Sequence, residues 1–156
     1  MNIMQKSNLA FAFCFIYTLL SAQNLVIDSF GLTNEALEAN VKKNRNKESY
    51  KVLFDHNSWE IDEKGFSVMD EIFSQLKQDA SLQIHIIGHA DKTGDDTRNR
   101  RLSERRAKAV RNRFRTMGIS NDRMHASAVG STQNTSSNKT EEGRRQNRKV
   151  EIRFVD

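Results

Sequence analysis

Three stretches of the chain alternate between apolar and other residues, the period of two that is typical of a half-buried β-strand. The alternating apolar positions are Tyr50, Val52 and Phe54 in the first stretch, Leu82, Ile84 and Ile86 in the second, and Val150, Ile152 and Phe154 in the third. Residues 124–129 form a weaker candidate for a further strand. The pattern therefore predicts four strands.

Two stretches between these strands carry apolar residues at helical spacing instead. The first follows Asp62, whose side chain can cap a helix N-terminus, and the second ends at Gly118, a residue type that stops helices. Their apolar positions are Phe66, Met69, Ile72, Phe73 and Leu76 in the first, and Leu102, Ala107, Val110, Phe114 and Met117 in the second. One further helical turn is predicted over 140–145.

The predicted order is thus β-α-β-α-β-β. Because each helix has a single apolar face, both helices are expected to cover the same side of one four-stranded sheet. The last two strands can pair antiparallel, which makes the sheet mixed. The prediction is an α+β fold, a two-layer sandwich with the helices on one face. The opposite face is expected to be partly wet and to carry Lys51, Gln83, His85, Glu151 and Arg153.

The first residues have the order of a secretory signal peptide. Lys6 precedes an uncharged apolar run from Leu9 to Leu20, which is shorter than the about 20 residues of a membrane-spanning helix. Small residues follow, and cleavage is expected after Ala22. Cys14 lies within the apolar run behind Phe13, so lipidation there is not expected. We predict three segments: a signal peptide (1–22), an extension or linker (23–49) and a folded domain (50–156).

Composition narrows the class of protein further. The chain has 156 residues, no proline and one cysteine, which excludes collagen-like and disulfide-scaffold proteins. The charged fraction of 29% and a formal net charge of +5 describe a mildly basic domain and exclude a polytopic membrane protein. Net charge alone leaves nucleic acid, anionic lipid and acidic polymers open as partners.

Polar residues concentrate after the second strand, in a block that runs from Gly88 to Ala107. Together with a block over 138–152 and a shorter one over 54–61, this block resembles the OmpA-like peptidoglycan-binding domain family. The matching positions are Gly88, His89, Asp91, Gly94, Asn99, Leu102, Ser103, Arg106 and Ala107 in the main block, and Asn138, Thr140, Gly143, Arg144, Asn147, Arg148, Val150, Glu151 and Ile152 in the later one. Three blocks in order over this length are a specific signal. Arg98 departs from the family pattern, which usually has an aromatic residue there.

The resemblance implies noncovalent binding of peptidoglycan through the zwitterionic end of meso-diaminopimelate in the stem peptide. Asp91 would accept from the ammonium, and the planar fork of Arg106 would suit the carboxylate. The remaining expected site residues are Thr93, Gly94, Asn99, Asn57, Leu102 and Arg148. Asp55, Arg144 and Asn147 are expected to brace the fold. The location implied is the periplasm, at the cell wall or outer membrane, with an envelope protein as a possible further partner.

Each of these interpretations has a plainer alternative. Asp91 and Arg106 can form an ordinary structural ion pair, and Asn57 and Arg148 can simply brace loops. The arginines of the second helix are interrupted by Glu104 and by the apolar stripe, which favours a solvated helix face over a nucleic-acid site. His85, His89 and Asp91 alternate along one strand but do not provide the four defined ligands of a zinc site.

We expect neither a cofactor nor an enzyme, because no nucleophile motif occurs. A small wall hydrolase and a membrane-tethered stator or assembly subunit stay open as alternative functions.

Overall fold

The computed structural model describes residues 49–155, together with Ala36 and Ala39, which are helical. Backbone contacts divide the chain into two units, Met1–Asn44 and Arg45–Asp156. The predicted signal peptide and most of the predicted extension lie outside the described residues. Where the structure describes the chain, none of its helices is long and apolar enough to cross a membrane.

The second unit contains the four predicted strands, the two predicted helices and a third helix at the predicted helical turn. In chain order they are β1 (Ser49–Leu53), α1 (Glu63–Gln78), β2 (Gln83–His89), α2 (Asp96–Thr116), a short 3-10 turn (Asn121–Arg123), β3 (Met124–Gly130), α3 (Glu141–Asn147) and β4 (Lys149–Val155). Helix α1 begins where predicted, because the Asp62 carboxylate accepts from the Gly65 N–H at 2.7 Å. Helix α3 extends the turn that was predicted over 140–145.

The four strands form one mixed sheet in the order β1-β4-β2-β3. Strand β4 is antiparallel to both β1 and β2, whereas β3 runs parallel to β2. Of the last two strands, β4 therefore pairs antiparallel as predicted. Strand β3 does not, because its partner is β2 and the two run parallel. The burial of β4 and β3 agrees with their positions in the sheet. In β4 all residues from Lys149 to Ile152 are buried, whereas β3 exposes His125 and Ala126 at the sheet edge.

The hydrophobic core lies between one face of the sheet and helices α1 and α2, as predicted. Its buried members include Val52, Ile84, Ile86, Val150, Ile152 and Phe154 from the sheet, Met69, Ile72 and Leu76 from α1, and Ala107, Val110 and Phe114 from α2. Phe66 was expected on the buried stripe of α1 but stays 37% exposed. The guanidinium of Arg113 packs over its ring, with Cζ 5.0 Å from the ring centroid. The arginine thus covers part of a ring that the core leaves outside.

The opposite face of the sheet is less open than expected. Glu151 was predicted to lie on a wet face, and this is wrong, because only 7% of the residue is exposed. Its neighbours Lys149 and His89 are buried as well. The Lys149 ammonium donates to Thr135 Oγ1 at 3.2 Å, so the loop after β3 covers this end of the face. Lys51 and Arg153 remain exposed, in agreement with the prediction.

Helix α2 packs directly on β2 at Gly88. A Cβ atom there would collide with the carbonyl oxygen of Ser103. This close approach brings the N-terminal half of α2 over the end of β2, where the polar block begins. The missing side chain at Gly88 is therefore what lets the helix and the strand end share one site.

We predict that Gly88→Ala lowers the free energy of unfolding by at least about 2 kcal/mol, because helix and strand must separate. Chemical denaturation followed by circular dichroism measures this. Gly118→Ala is the control: Gly118 has a φ of 98° but nothing near its Cβ position, so backbone strain alone costs about 1 kcal/mol. Equal losses in the two variants would contradict the close helix–strand contact.

Candidate functional site

The loop after β2 holds Asp91 in a fixed position. The Ala90 N–H donates to the Gly130 carbonyl oxygen at 2.8 Å, which ties the start of the loop to the end of β3. The Asp91 carboxylate then accepts from the Thr93 N–H at 2.9 Å. Gly94 follows with a φ of 86°, in the left-handed region that glycine adopts without strain. Asp91 is only 5% exposed.

Asp91 is paired with Arg148, which lies at the start of β4. The Arg148 Nη1 donates to Asp91 Oδ2 at 3.1 Å, and both side chains are buried. Burial favours the neutral acid, but hydrogen bonds from Thr93 and Arg148 outweigh it and hold the pKa of Asp91 below its ordinary value. Asp91 is therefore a carboxylate at neutral pH. Arg148 also donates to Glu141 Oε1 at 2.8 Å and to the Phe54 carbonyl oxygen at 3.2 Å.

Arg106 on α2 is completely buried and holds three backbone segments together. Its Nε donates to the Ser58 carbonyl oxygen at 2.8 Å, Nη1 to that of His89 at 2.9 Å, and Nη2 to that of Asp55 at 3.0 Å. A guanidinium has five N–H donors, so two remain beyond these bonds. Its Cζ also lies 5.3 Å from the centroid of the Phe54 ring.

The charge of Arg106 is only partly balanced. Burial lowers the pKa of Arg106 to about 10, and the nearby charge of Asp91 opposes this shift. The group stays protonated at neutral pH. Within residues 49–155, no carboxylate is close enough to form an ion pair with it. A buried cation that is hydrogen-bonded to neutral carbonyl groups favours the approach of an anion.

A small hollow opens beside these groups. It has room for about 30 Å³ and is lined by His56, Asn57, Asp91, Thr93, Arg98, Asn99 and Leu102. Arg98 Nη2 donates to Asn57 Oδ1 at 3.0 Å, which joins two lining side chains from the loop after β1 and from α2. Asn57 has a φ of 56°, a left-handed conformation that asparagine tolerates better than most residues.

Asn99 lines this hollow with an unused donor. The residue is 3% exposed, and its Nδ2 finds no hydrogen-bond partner among the residues that the structure describes. An unpaired buried donor costs about 1–3 kcal/mol, so such groups are rare and each needs an explanation. The hollow therefore combines a fixed carboxylate with an amide donor that lacks an acceptor.

Three comparisons with known proteins bear on this site. A family model described as OmpA family matches residues 53–148, a range that contains every residue lining the hollow. The chain belongs to the OmpA family.

Relatives of this OmpA-family chain agree with that assignment. It is 34% identical over 101 residues to the probable lipoprotein YiaD of Escherichia coli (strain K12), a match that covers 65% of this chain and 46% of YiaD. It is 33% identical over 87 residues to the peptidoglycan-binding protein ArfA of Mycobacterium tuberculosis, covering 56% of this chain and 27% of ArfA. The chain thus spans less than half the length of these two curated relatives.

A solved structure supports the OmpA-family fold directly. The peptidoglycan-associated lipoprotein from Burkholderia pseudomallei superposes with a TM-score of 0.65 at 25% sequence identity, covering 67% of this chain and 89% of that chain. The α+β fold with a mixed four-stranded sheet is therefore confirmed.

The structure brings most of the expected site residues of this OmpA-family domain together. Asn57, Asp91, Thr93, Asn99 and Leu102 line the hollow. Arg148 reaches the site through Asp91, and Gly94 forms the turn beside Thr93. Arg106 does not line the hollow but lies buried behind the loops that form it. The role of these residues in holding a ligand stays a prediction.

Two lining residues, His56 and Arg98, were not among the expected site residues. His56 lies next to Asn57 in the first sequence block, and its Nδ1 is 3.9 Å from Asp91 Oδ2. Arg98 was visible in the sequence as a departure from the family pattern. Its adjacency to Asn99 was the signal that could have placed it at the rim.

The residues expected to brace the fold do so in different ways. The fully buried Asn147 accepts from the Ser136 N–H at 3.0 Å and donates to the Ser136 carbonyl oxygen at 2.8 Å, which holds the loop after β3. Arg144 donates to the Asn138 carbonyl oxygen in the same loop. Asp55 contributes through its carbonyl oxygen, which accepts from Arg106, while its side chain is exposed.

The histidines of β2 do not converge with Asp91. His85 Nε2 lies 3.1 Å from Ser127 Oγ, and His89 Nε2 lies 3.7 Å from Glu151, whereas Asp91 faces Arg148. Among the described residues, no three histidine, cysteine or acidic side chains group as metal ligands.

We predict that Asp91→Asn lowers the free energy of unfolding by about 2 kcal/mol at pH 7, because it leaves the buried Arg148 with a weaker partner. The lowered pKa of Asp91 means that the pair stabilises the fold fully above about pH 4 and loses this effect as pH falls through the folded-state pKa. Denaturation at several pH values measures the difference, which should shrink on acidification.

The control for this experiment is Glu141→Gln, which removes the exposed partner of the same arginine. Its effect should be clearly smaller, because solvent screens that pair. A difference between wild type and Asp91→Asn that stays constant down to pH 2 would contradict a carboxylate role for Asp91 in stability.

Proposed function

We propose that this protein is an exported binding protein that holds peptidoglycan noncovalently and so attaches itself to the cell wall, in the periplasm or at the outer membrane. The observation that carries this proposal is the unsatisfied Asn99 amide in the hollow beside the Asp91 carboxylate. Membership of the OmpA family supports it, as does the likeness to a peptidoglycan-binding protein and to the peptidoglycan-associated lipoprotein.

The charges suit a zwitterionic ligand such as the free end of meso-diaminopimelate, which bears an ammonium and a carboxylate on one carbon. Asp91 is ionised, fixed by Thr93 and able to accept from the ammonium. The carboxylate would accept from Asn99 Nδ2, and it would be attracted by the charge of Arg106, which is buried behind the loops and lacks a carboxylate partner in the described part of the chain. Charge-assisted hydrogen bonds of this kind are the strongest that such a site can offer.

Ligand entry requires the rim of the hollow to open. A volume of about 30 Å³ holds a water molecule rather than an amino-acid group. The hydrogen bond between Arg98 and Asn57 joins two exposed side chains, which can separate at little cost in free energy. Breaking this contact is the smallest change that widens the hollow toward Asp91 and Asn99.

We predict that Asp91→Ala reduces retention on purified sacculi at least about tenfold, because removing one charge of a buried ligand contact costs 2 kcal/mol or more. Arg106→Lys should also weaken retention, since a lysine keeps the charge but cannot make all three carbonyl bonds that hold the loops around the hollow. Co-sedimentation of purified protein with sacculi measures both. Asp70→Ala and Arg115→Ala change exposed residues of α1 and α2 and should bind like wild type.

Folding is monitored in parallel, because Arg106 also holds the loops together. A variant counts only if its circular dichroism spectrum matches that of wild type, and Arg106→Lys is chosen because it can keep part of the carbonyl contacts. Equal retention of all variants, or no retention of wild type, would overturn the proposal. Release of soluble muropeptides would instead identify a wall hydrolase.

A further inference from the structure

A second cleft adjoins the hollow that contains Asp91. It shares Asn57, Arg98 and Leu102 with that hollow and adds Trp59, Arg101 and Arg105. Its volume of about 290 Å³ is far larger than the 30 Å³ of the first. A ligand that enters the first hollow has to extend into this cleft or into solvent, because the first hollow cannot hold more than the end of it.

The second cleft carries a net positive charge. Arg98, Arg101 and Arg105 are exposed, and within residues 49–155 none of them forms an ion pair. The one acidic residue of the cleft, Asp95, caps helix α2, with its Oδ1 accepting from the Arg98 N–H at 2.8 Å. The cleft therefore favours an anionic group, and Arg101 and Arg105 are the two arginines that line this cleft but not the first hollow.

Trp59 gives the same cleft a flat apolar wall. It is 43% exposed, the highest value among the large hydrophobic residues that the structure leaves exposed in its described part. The Arg105 guanidinium stacks on the ring, with Cζ 4.7 Å from the ring centroid, and so fixes its orientation. A fixed, exposed aromatic ring beside free cations is suited to a ligand that carries both an apolar surface and a charge.

We propose that this cleft is a second subsite for the same wall peptide, in which Arg101 and Arg105 bind a carboxylate of the residue next to diaminopimelate while Trp59 packs against the peptide between them. The inference rests on the proposed function, because the occupant is the continuation of a ligand held at Asp91. Two observations support it. The two cavities share wall residues, and the arginines of the cleft, which form no ion pair within residues 49–155, match an anionic extension of the ligand. Any polyanion would interact with the arginines, whereas a peptide that continues from the first hollow would also pack against Trp59.

The test compares three probes by isothermal titration calorimetry with the purified protein. They are diaminopimelate, N-acetyl-γ-glutamyl-diaminopimelate, and the same dipeptide with its glutamyl carboxylate converted to an amide. Wild type should bind the charged dipeptide about fivefold more tightly than the amidated one, the effect of one partly exposed charge contact. Arg101→Gln should abolish this preference and leave binding of diaminopimelate unchanged.

Trp59→Ala should weaken both dipeptides about equally, by about fivefold, and also leave diaminopimelate unchanged. Arg115→Gln, an exposed arginine at the far end of the same helix, is the matched charge control and should behave like wild type. Dipeptide affinities that are the same in wild type, Arg101→Gln and Trp59→Ala would overturn the subsite while the Asp91-dependent binding of diaminopimelate, and with it the proposed function, stands. Failure of wild type to bind any probe would overturn both.

Discussion

Arg106 and Arg148 are buried guanidinium groups that bind the loops of this domain to one another, and the arrangement of the site depends on them. Arg106 donates to carbonyl oxygens from the loop after β1 and from the end of β2, segments that are far apart in sequence. Arg148 joins Phe54, Asp91 and Glu141. Burying a cation is costly, so such groups persist only where many acceptors surround them. Here the acceptors are backbone carbonyls and fixed carboxylates, and the result is a rigid set of loops around a small hollow.

This arrangement places the proposed binding site at one end of the sheet. Gly88 lets α2 approach β2, and the same contact aligns Asn99 and Arg106 with the loop that bears Asp91. Hydrogen bonds already used for folding cannot be used for binding. The groups that remain available at the hollow are the Asn99 amide and the outer face of the Asp91 carboxylate, with the positive charge of Arg106 buried behind them. This set of groups supports the proposal that the hollow binds a zwitterion.

Much of the fold could be predicted because its signals are local. Alternation found β1, β2 and β4, helical spacing found α1 and α2, and the Asp62 cap marked a helix start. The burial of Glu151 could not be predicted in the same way, because it depends on a loop that returns over the sheet from β3. Strand order was equally non-local: β4 lies between β1 and β2, a position that the alternation within β4 does not indicate.

The sequence predicted most residues of the site, but not which of them line the hollow and which hold the surrounding loops together. Motif spacing found five of the seven residues that line the hollow, whereas the three carbonyl bonds of Arg106 follow from the path of distant loops. The most direct test is an NMR titration with diaminopimelate that follows the side-chain amide of Asn99 and the guanidinium of Arg106. We predict saturable shifts of both signals in wild type and their loss in Asp91→Asn. Shifts confined to exposed cations, or no shift at Asn99, would contradict a zwitterion receptor at this hollow.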